Sequence, residues 1–278
     1  MIKDTCIKQS LTVVLVVICQ LCAAQKNQDT AAIISAFNRV MEFAVQPDLY
    51  YTSTTSMHSI PAIRIPGSTP VLHNVFYKVN NDLYYGNEQE EVYLQDSLMI
   101  TINHIRKTIL INKVDVATKE KMDLMPLKKA SMQKMLREHF VISQQQRQGD
   151  TLAITIHSHD RTELGNMANT EMVVLYSKPS YLPYAMQVTQ QMRQPASEQL
   201  LAVLNSQGLM TQTTLTETQG VKYIYMSQTA TINFSAIETS GKKSKDMPVW
   251  KNSLSFDEQL QSFKGTNKCA EYEVTQNF

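Results

Sequence analysis

The sequence predicts an α+β fold, an antiparallel sheet with helices gathered on one of its faces. Three observations lead there. Short strand-like segments follow one another closely, divided by turn dipeptides such as Asn80-Asn81, Gly86-Asn87 and Asp96-Ser97. Two segments of helical period stand apart from them. Neither a fixed-period repeat nor a linker rich in Pro, Gly or Ser divides the 278 residues. Hairpin-connected strands need no crossover helices, so the helices belong against a face of the sheet.

The chain begins with a polar stretch carrying Lys3 and Lys8, followed by the apolar run of 14 residues Leu11–Ala24. A basic end, a short apolar core and small residues before Gln25 form the pattern of a secretory signal peptide. A spanning helix needs about 20 apolar residues, and polar QKNQDT follows directly. Neither Cys19 nor Cys22 is preceded by a small residue, which argues against lipidation. Cleavage is expected after Ala24 or Ala23. The expected product is exported, soluble and unlipidated, in the periplasm or at the outer membrane, and residues 25–278 are expected to form one domain.

Asp29 to Ala44 reads as the first helix, with Ile33, Phe37, Val40, Met41 and Ala44 on one face. Asp29 or Thr30 can cap it, and Pro47 ends it. Strands are expected at Asp48–His58, Leu72–Val79, Asp82–Tyr85, Glu90–Gln95, Leu98–Asn103 and Lys107–Asn112. Leu127 to His139 is the second helix, lined by Leu127, Met132, Met135 and Leu136. The Gln144–Gln148 run reads as a solvated turn. Strands resume at Thr151–His157, where Leu152, Ile154 and Ile156 alternate with polar residues. Glu171–Ser177 and Tyr184–Gln190 suggest a hairpin around Lys178-Pro179-Ser180. Val221–Ile237 is the longest strand. Lys242–Lys251 reads as a polar loop carrying Trp250, and a last strand is expected at Ala270–Val274.

Composition excludes several functions. Without Lys3, Lys8 and Asp4, the exported chain carries 24 basic and 24 acidic residues. Nothing there recruits nucleic acid or an anionic membrane, both of which need clustered positive charge. Cys269 is the one cysteine left after cleavage, so no internal disulfide forms. Stability must come from a packed core, which about 250 residues can bury. Cys269 itself reads as a small apolar residue packed at the end of the sheet.

Motifs for catalysis are weak. His157-Ser158-His159 places two histidines on one strand face, and Glu163 completes an H-x-H-x3-E set of possible metal ligands. Cupin and metallo-β-lactamase patterns need a further histidine, and none follows His159. A metal-dependent hydrolase using His157 and His159 is therefore the distant alternative; no resident metal or cofactor is expected. Ser131-Met132-Gln133-Lys134 matches S-x-x-K, but the companion K-T-G is absent. Phosphate-cradling glycine loops and the nucleophile elbow are absent too.

Fifteen methionines remain to be explained. Met57, Met99, Met172, Met186 and Met226 fall on expected strands, and Met122, Met125, Met132 and Met135 lie in or beside the second helix. Methionine suits surfaces that accept varied apolar partners, and it also fills irregular cores. Both readings stay open.

The order of elements resembles the LolA-like superfamily of periplasmic lipoprotein carriers. The resemblance lies in an amphipathic helix after a signal peptide, a meander containing LMITINHIRKTILINKV (98–114), a helical insertion (122–139) and the hairpin MVVLYSKPSYLPYAMQVTQ (172–190). It covers residues 28–237, as a pattern of elements. What it implies is a strongly curved antiparallel half-barrel, with helices over the concave side and an acyl chain or lipoprotein as ligand. Met99, Ile102, Met132, Met135, Met186 and Met226 are the cavity-lining candidates under that resemblance, with no catalytic residue required. A structural or interaction role in the envelope, with the cavity filled and other envelope proteins as partners, is the competing expectation.

Overall fold

The computed structural model describes residues 30–63, 71–115, 134, 136–158, 170–218 and 220–277. The signal-peptide segment, Met132, Met135, Ser131 and His159 lie outside the described residues, as does most of the second expected helix, of which 134 and 136–139 are helical.

Helix α1 spans Thr30–Met41 and continues as a 3-10 turn over Glu42–Val45. Gln46 then turns extended, φ −63° and ψ 143°, as a residue before proline must. The strands are β1 (Asp48–Ile60), β2 (Val71–Val79), β3 (Asp82–Gly86), β4 (Glu90–Gln95), β5 (Leu98–Asn103) and β6 (Thr108–Lys113). They continue with β7 (Phe140–Gln146), β8 (Thr151–Ser158), β9 (Thr170–Ser177) and β10 (Pro183–Pro195). Helix α2 (Glu198–Ser206) follows, then β11 (Thr214–Thr218), β12 (Val221–Glu238), β13 (Leu254–Asp257), β14 (Ser262–Gly265) and β15 (Glu273–Asn277).

Thirteen strands form one sheet in the order β15-β6-β5-β4-β3-β2-β1-β12-β10-β9-β8-β7, with β11 beside β12. The sheet is not closed: β7 and β15 are its two ends. Neighbours run antiparallel, with one exception. The terminal strand β15 lies parallel to β6, because the chain returns through 241–272 and meets that edge from the other direction.

Local sequence explains the hairpins. Asp96 and Ser97 both take positive φ, 51° and 61°, the geometry of a two-residue turn whose twist matches its strands. Asn80 does the same at 54° before β3. Asn87 closes the next turn by accepting the backbone N–H of Gln89 and Glu90 on its Oδ1, at 2.8 and 3.0 Å.

Several elements depart from the sequence reading. Of the glutamine run, Gln144, Gln145 and Gln146 end strand β7 and are no turn, and the chain turns only over 147–150. At the sheet end the strand's outward residues meet water, and Gln144 Nε2 donates to the Tyr176 hydroxyl at 2.6 Å. Helix α2 and β11 were not expected. Yet Ser197 caps α2 by accepting the Leu200 N–H, and Gly208 takes φ +68° just beyond it. The stretch 242–251 is not simply a polar loop, because Trp250 is buried and the β13–β14 hairpin follows.

The register gives the sheet two faces. One face carries Leu152, Ile154, Ile156, Val174 and Met186, and with α1 it forms a core cluster around Ile33, Ile34, Phe37, Val40 and Met41. Each buried large side chain there contributes roughly 1.5–3 kcal/mol. The same face carries Phe43, Leu49, Tyr51, Phe76 and Phe234 in a second cluster, and Ile224 with Leu204 of α2 in a third. The opposite face carries Tyr93, Ile100, Ile102, Ile109 and Ile111, packed with Trp250, Leu254, Phe263 and Cys269 of the C-terminal segment. Tyrosines 50, 77, 84 and 93 line up across four strands on that face, their ring centroids 4.8, 6.2 and 5.0 Å apart.

Candidate functional site

Two arrangements of side chains stand out, one on each face. On the C-terminal side, Glu91 of β4 is buried and gathers donors from three places. Tyr93 Oη donates to it at 2.6 Å, His104 Nε2 lies 3.1 Å away, and Lys268 Nζ bonds the same carboxylate. His104 Nδ1 lies 3.1 Å from the hydroxyl of Tyr272. Burial alone would raise the Glu91 pKa; the hydrogen bonds from Lys268, Tyr93 and His104 outweigh it and hold the carboxyl below its ordinary value. Burial pushes Cys269 up, against the pull of Lys268, so it stays a thiol. These residues pin the chain's last segment onto the sheet. Glu91 and Tyr93 are 5% and 3% exposed, which leaves no room for a reacting substrate.

On the α1 side the face holds a strip of apolar residues that the helices leave part-exposed. Across the strands, Val174, Met186, Ile232 and Thr55 stand in register, and Met172, Val188, Ala230 and Met57 form the next row. Val174 is sealed under α1, whereas Met186, Val188, Ala230 and Ile232 are half-buried and Met57 is 49% exposed. The strip lies between the cluster under α1 and the cluster under α2. From Ile232 to Met226 is six residues along β12, about 20 Å at ~3.4 Å per residue.

Beside the strip sits a neutral polar group. Asn74 Nδ2 donates to Thr55 Oγ1 at 2.8 Å and to Ser53 Oγ at 3.4 Å, and its Oδ1 accepts from the Tyr85 hydroxyl at 2.8 Å. None of the described side chains on this face from Tyr51 to Met57, Leu72 to Phe76, Met172 to Val174, Met186 to Gln190 and Gln228 to Phe234 is charged; the next residue of the face along β2 is Lys78, buried beside Leu49. Burial pushes the Tyr51 phenol up to about 12, so it too is neutral. Over this side of the sheet, α1 brings Asn38, which is 8% exposed and whose amide oxygen and nitrogen have no hydrogen-bond partner among the described residues.

The sequence-derived candidates are only partly brought together. Met186 and Met226 share the strip's face, at the fringes of the α1 and α2 clusters. Met99 shares that face but lies on β5, four strands from the strip's edge on β1. Ile102 is fully buried on the opposite face under the C-terminal segment, so it lines core there rather than the strip. Alternation along β5 puts neighbours on opposite faces, which makes Met99 and Ile102 incompatible members of one lining. Met132 and Met135 lie outside the described residues. Ser53, Thr55 and Asn74 were missed: nothing in a Thr- and Ser-rich strand marks which hydroxyls face inward until its partners are known.

His157 projects on the exposed face of β8, opposite Glu171 and Val141. Among the described residues no group of three His, Cys, Asp or Glu side chains is placed to hold a metal ion. No helix among them is long and apolar enough to cross a membrane.

No protein-family model and no curated protein matches this chain. Solved structures similar to it include a LolA superfamily protein from Nitrosomonas europaea, of the superfamily that the order of elements resembles. Its TM-score is 0.26 at 6% identity, over 76% of this chain and 97% of that one. A DUF1329 family protein from Desulfovibrio piger gives 0.33 at 10% identity, over 84% and 98%. The MucA/MucB complex of Pseudomonas aeruginosa gives 0.34 at 10% identity, and there this chain spans 56% of the chain it matches. Likenesses of this size leave function to be argued from this chain's own residues.

Proposed function

We propose that this protein is an exported, non-catalytic envelope protein that holds a hydrophobic ligand, a lipid or a lipoprotein acyl chain, on the α1 face of its sheet. In this reading residues 1–24 are a signal peptide removed near Ala24, and residues 25–278 form one LolA-like domain curved around the ligand. The observation that carries it is the uncharged, half-buried strip of Met57, Met186, Val188, Ala230 and Ile232 between two helix-topped clusters. Withdrawing hydrocarbon from water onto such a strip is worth about 25 cal/mol per Å². Methionine adapts its shape to the chain it meets. No nucleophile or acid–base pair is needed, since holding and releasing an acyl chain breaks no bond.

A second reading has an observation of its own. Val174, Ile154 and Tyr176 are already fully buried under α1, as in a filled core. That favours a structural envelope component whose partners are other proteins. Native mass spectrometry of the protein purified from its own host separates the two. Co-purifying acyl species support the binding reading. A clean ligand-free mass, together with no uptake of an apolar fluorescent probe, overturns it in favour of the structural one. Stoichiometric zinc in the same preparation would instead point to His157 and His159. N-terminal sequencing of the exported protein checks cleavage near Ala24.

A further inference from the structure

Resting on the ligand-binding reading, we infer that the ligand is an uncharged amphiphile whose polar end, an ester or amide carbonyl, is received by the hydroxyl of Thr55. The argument begins with two backbone N–H groups. Those of Gln89 and Glu90 both donate to Asn87 Oδ1, which fixes which end of the Asn87 amide is oxygen. Its Nδ2 must then face the other way, toward the Tyr85 hydroxyl at 2.8 Å and Asn74 Oδ1 at 3.3 Å. Because Tyr85 accepts from Asn87, its own proton goes to Asn74 Oδ1, at 2.8 Å. Asn74 is thereby oriented too, and its Nδ2 donates to Thr55 and Ser53.

The consequence lies at the end of the chain of bonds. Ser53 and Thr55 are acceptors toward Asn74, so each keeps a hydroxyl proton to give away. Ser53 is 4% exposed and closed off from a ligand, whereas Thr55 is half-buried and stands in the strip's own row. A donor held there on a β-strand recognises an oxygen that accepts without being charged. An ionised head is disfavoured at Thr55: Lys78, the buried cation of this face, lies four positions beyond Asn74 on β2 and already has an interaction of its own, Glu90 adds negative charge near Tyr85, and burying an unpaired ion is costly. The geometry also sets direction. Thr55 stands opposite Ile232, which stands opposite Met186. A carbonyl at Thr55 therefore sends its hydrocarbon across β12 and β10, at about 4.8 Å per strand.

The test compares three probes on the full exported chain by calorimetry and fluorescence: 1-monooleoylglycerol, oleate at pH 9, and the uncharged apolar dye N-phenylnaphthylamine. Monooleoylglycerol is expected to bind at least tenfold more tightly than oleate. Thr55→Val, which keeps shape and strand preference, is expected to weaken monooleoylglycerol about fivefold without weakening the dye. Equal binding of oleate, or a Thr55→Val protein that binds monooleoylglycerol as well as the parent, overturns the inference while dye binding keeps the underlying reading intact. Failure of all three probes to bind the parent protein overturns both. Circular dichroism melts of the variant confirm that a loss is not one of folding.

Discussion

The two faces of this sheet solve the same packing problem in opposite ways. On the C-terminal side, Trp250, Leu254, Phe263 and Cys269 close over the isoleucines of β5 and β6, and a buried carboxylate bonded to Lys268, Tyr93 and His104 fixes the arrangement. On the α1 side, Lys78 is buried beyond Phe76, but the polar residues around the strip are neutral, and a methionine-containing strip stays half-buried. Each face has a buried polar group with no partner among the described residues, Asn38 here and the Trp250 Nε1 there. A charged pin inside a filled core specifies one geometry. A strip with neutral surroundings and unfilled apolar surface can accept a second molecule. The difference teaches that the site is to be sought where packing is incomplete, not where the titratable groups converge.

That contrast can be broken most forcefully by large deletions on each face. Phe37→Ala should cost about 3–5 kcal/mol in urea denaturation, by opening a cavity under α1. Glu91→Ala takes the acceptor from Tyr93 and His104 and frees Lys268, which is largely exposed, and should cost about 1.5–3 kcal/mol. Since the two residues share no partner, the double variant should be additive within about 0.5 kcal/mol. A large coupling term would show that the faces are not independent.

Acid sharpens the comparison from one side only. The folded pKa of Glu91 is depressed, so its contribution is complete above the unfolded value of about 4.3 and fades as pH falls through the lower folded value. Trp250, the single tryptophan, sits in that cluster. Its fluorescence should therefore hold steady through mild acid and shift only in strong acid. In Glu91→Gln the same transition should depend less steeply on pH, with Asp257 and Glu88, also held below the usual carboxylate range, still contributing.

A smaller effect tests the C-terminal packing without touching charge. A Cβ added at Gly265 would lie 1.8 Å from the backbone oxygen of Cys269, and backbone cannot step aside cheaply. Gly265→Ala should cost about 1–3 kcal/mol in the same denaturation assay. The smallest effect has the opposite sign. Asn38→Leu replaces an unpaired buried amide by hydrocarbon of similar size and should stabilise the ligand-free protein by about 1 kcal/mol. Loss of stability instead would mean that the Asn38 amide is satisfied in solution.

How much was legible beforehand depended on whether a signal was local. Strands β4 and β5 fall where alternation and the Asp96-Ser97 turn placed them, because two residues of positive φ leave the chain little choice. The first helix is where its apolar period put it, with Pro47 stopping it. Strand β7 was hidden because glutamine has no strong preference and an edge strand need not alternate. Helix α2 did carry a signal, the Ser197 cap and the leucines at 200, 201 and 204, in a stretch too short for periodicity to declare itself. Of the candidate lining, Met186 and Met226 share a face, and Ile102 does not, since strand parity fixes the side only once a register is known.

By itself, then, the sequence determined the elements: which segments extend, where they turn, and that a helix of one apolar face must find a sheet. These follow from backbone conformation and periodicity, which act over a few residues. Tertiary structure decided the rest. It joined β1 to β12 across more than 160 residues, ran β15 parallel to β6, gave one face to α1 and the other to the C-terminal segment, and set Thr55 beside Ile232. Those pairings are settled by burial and register summed over distant segments, and no short stretch of sequence holds that information.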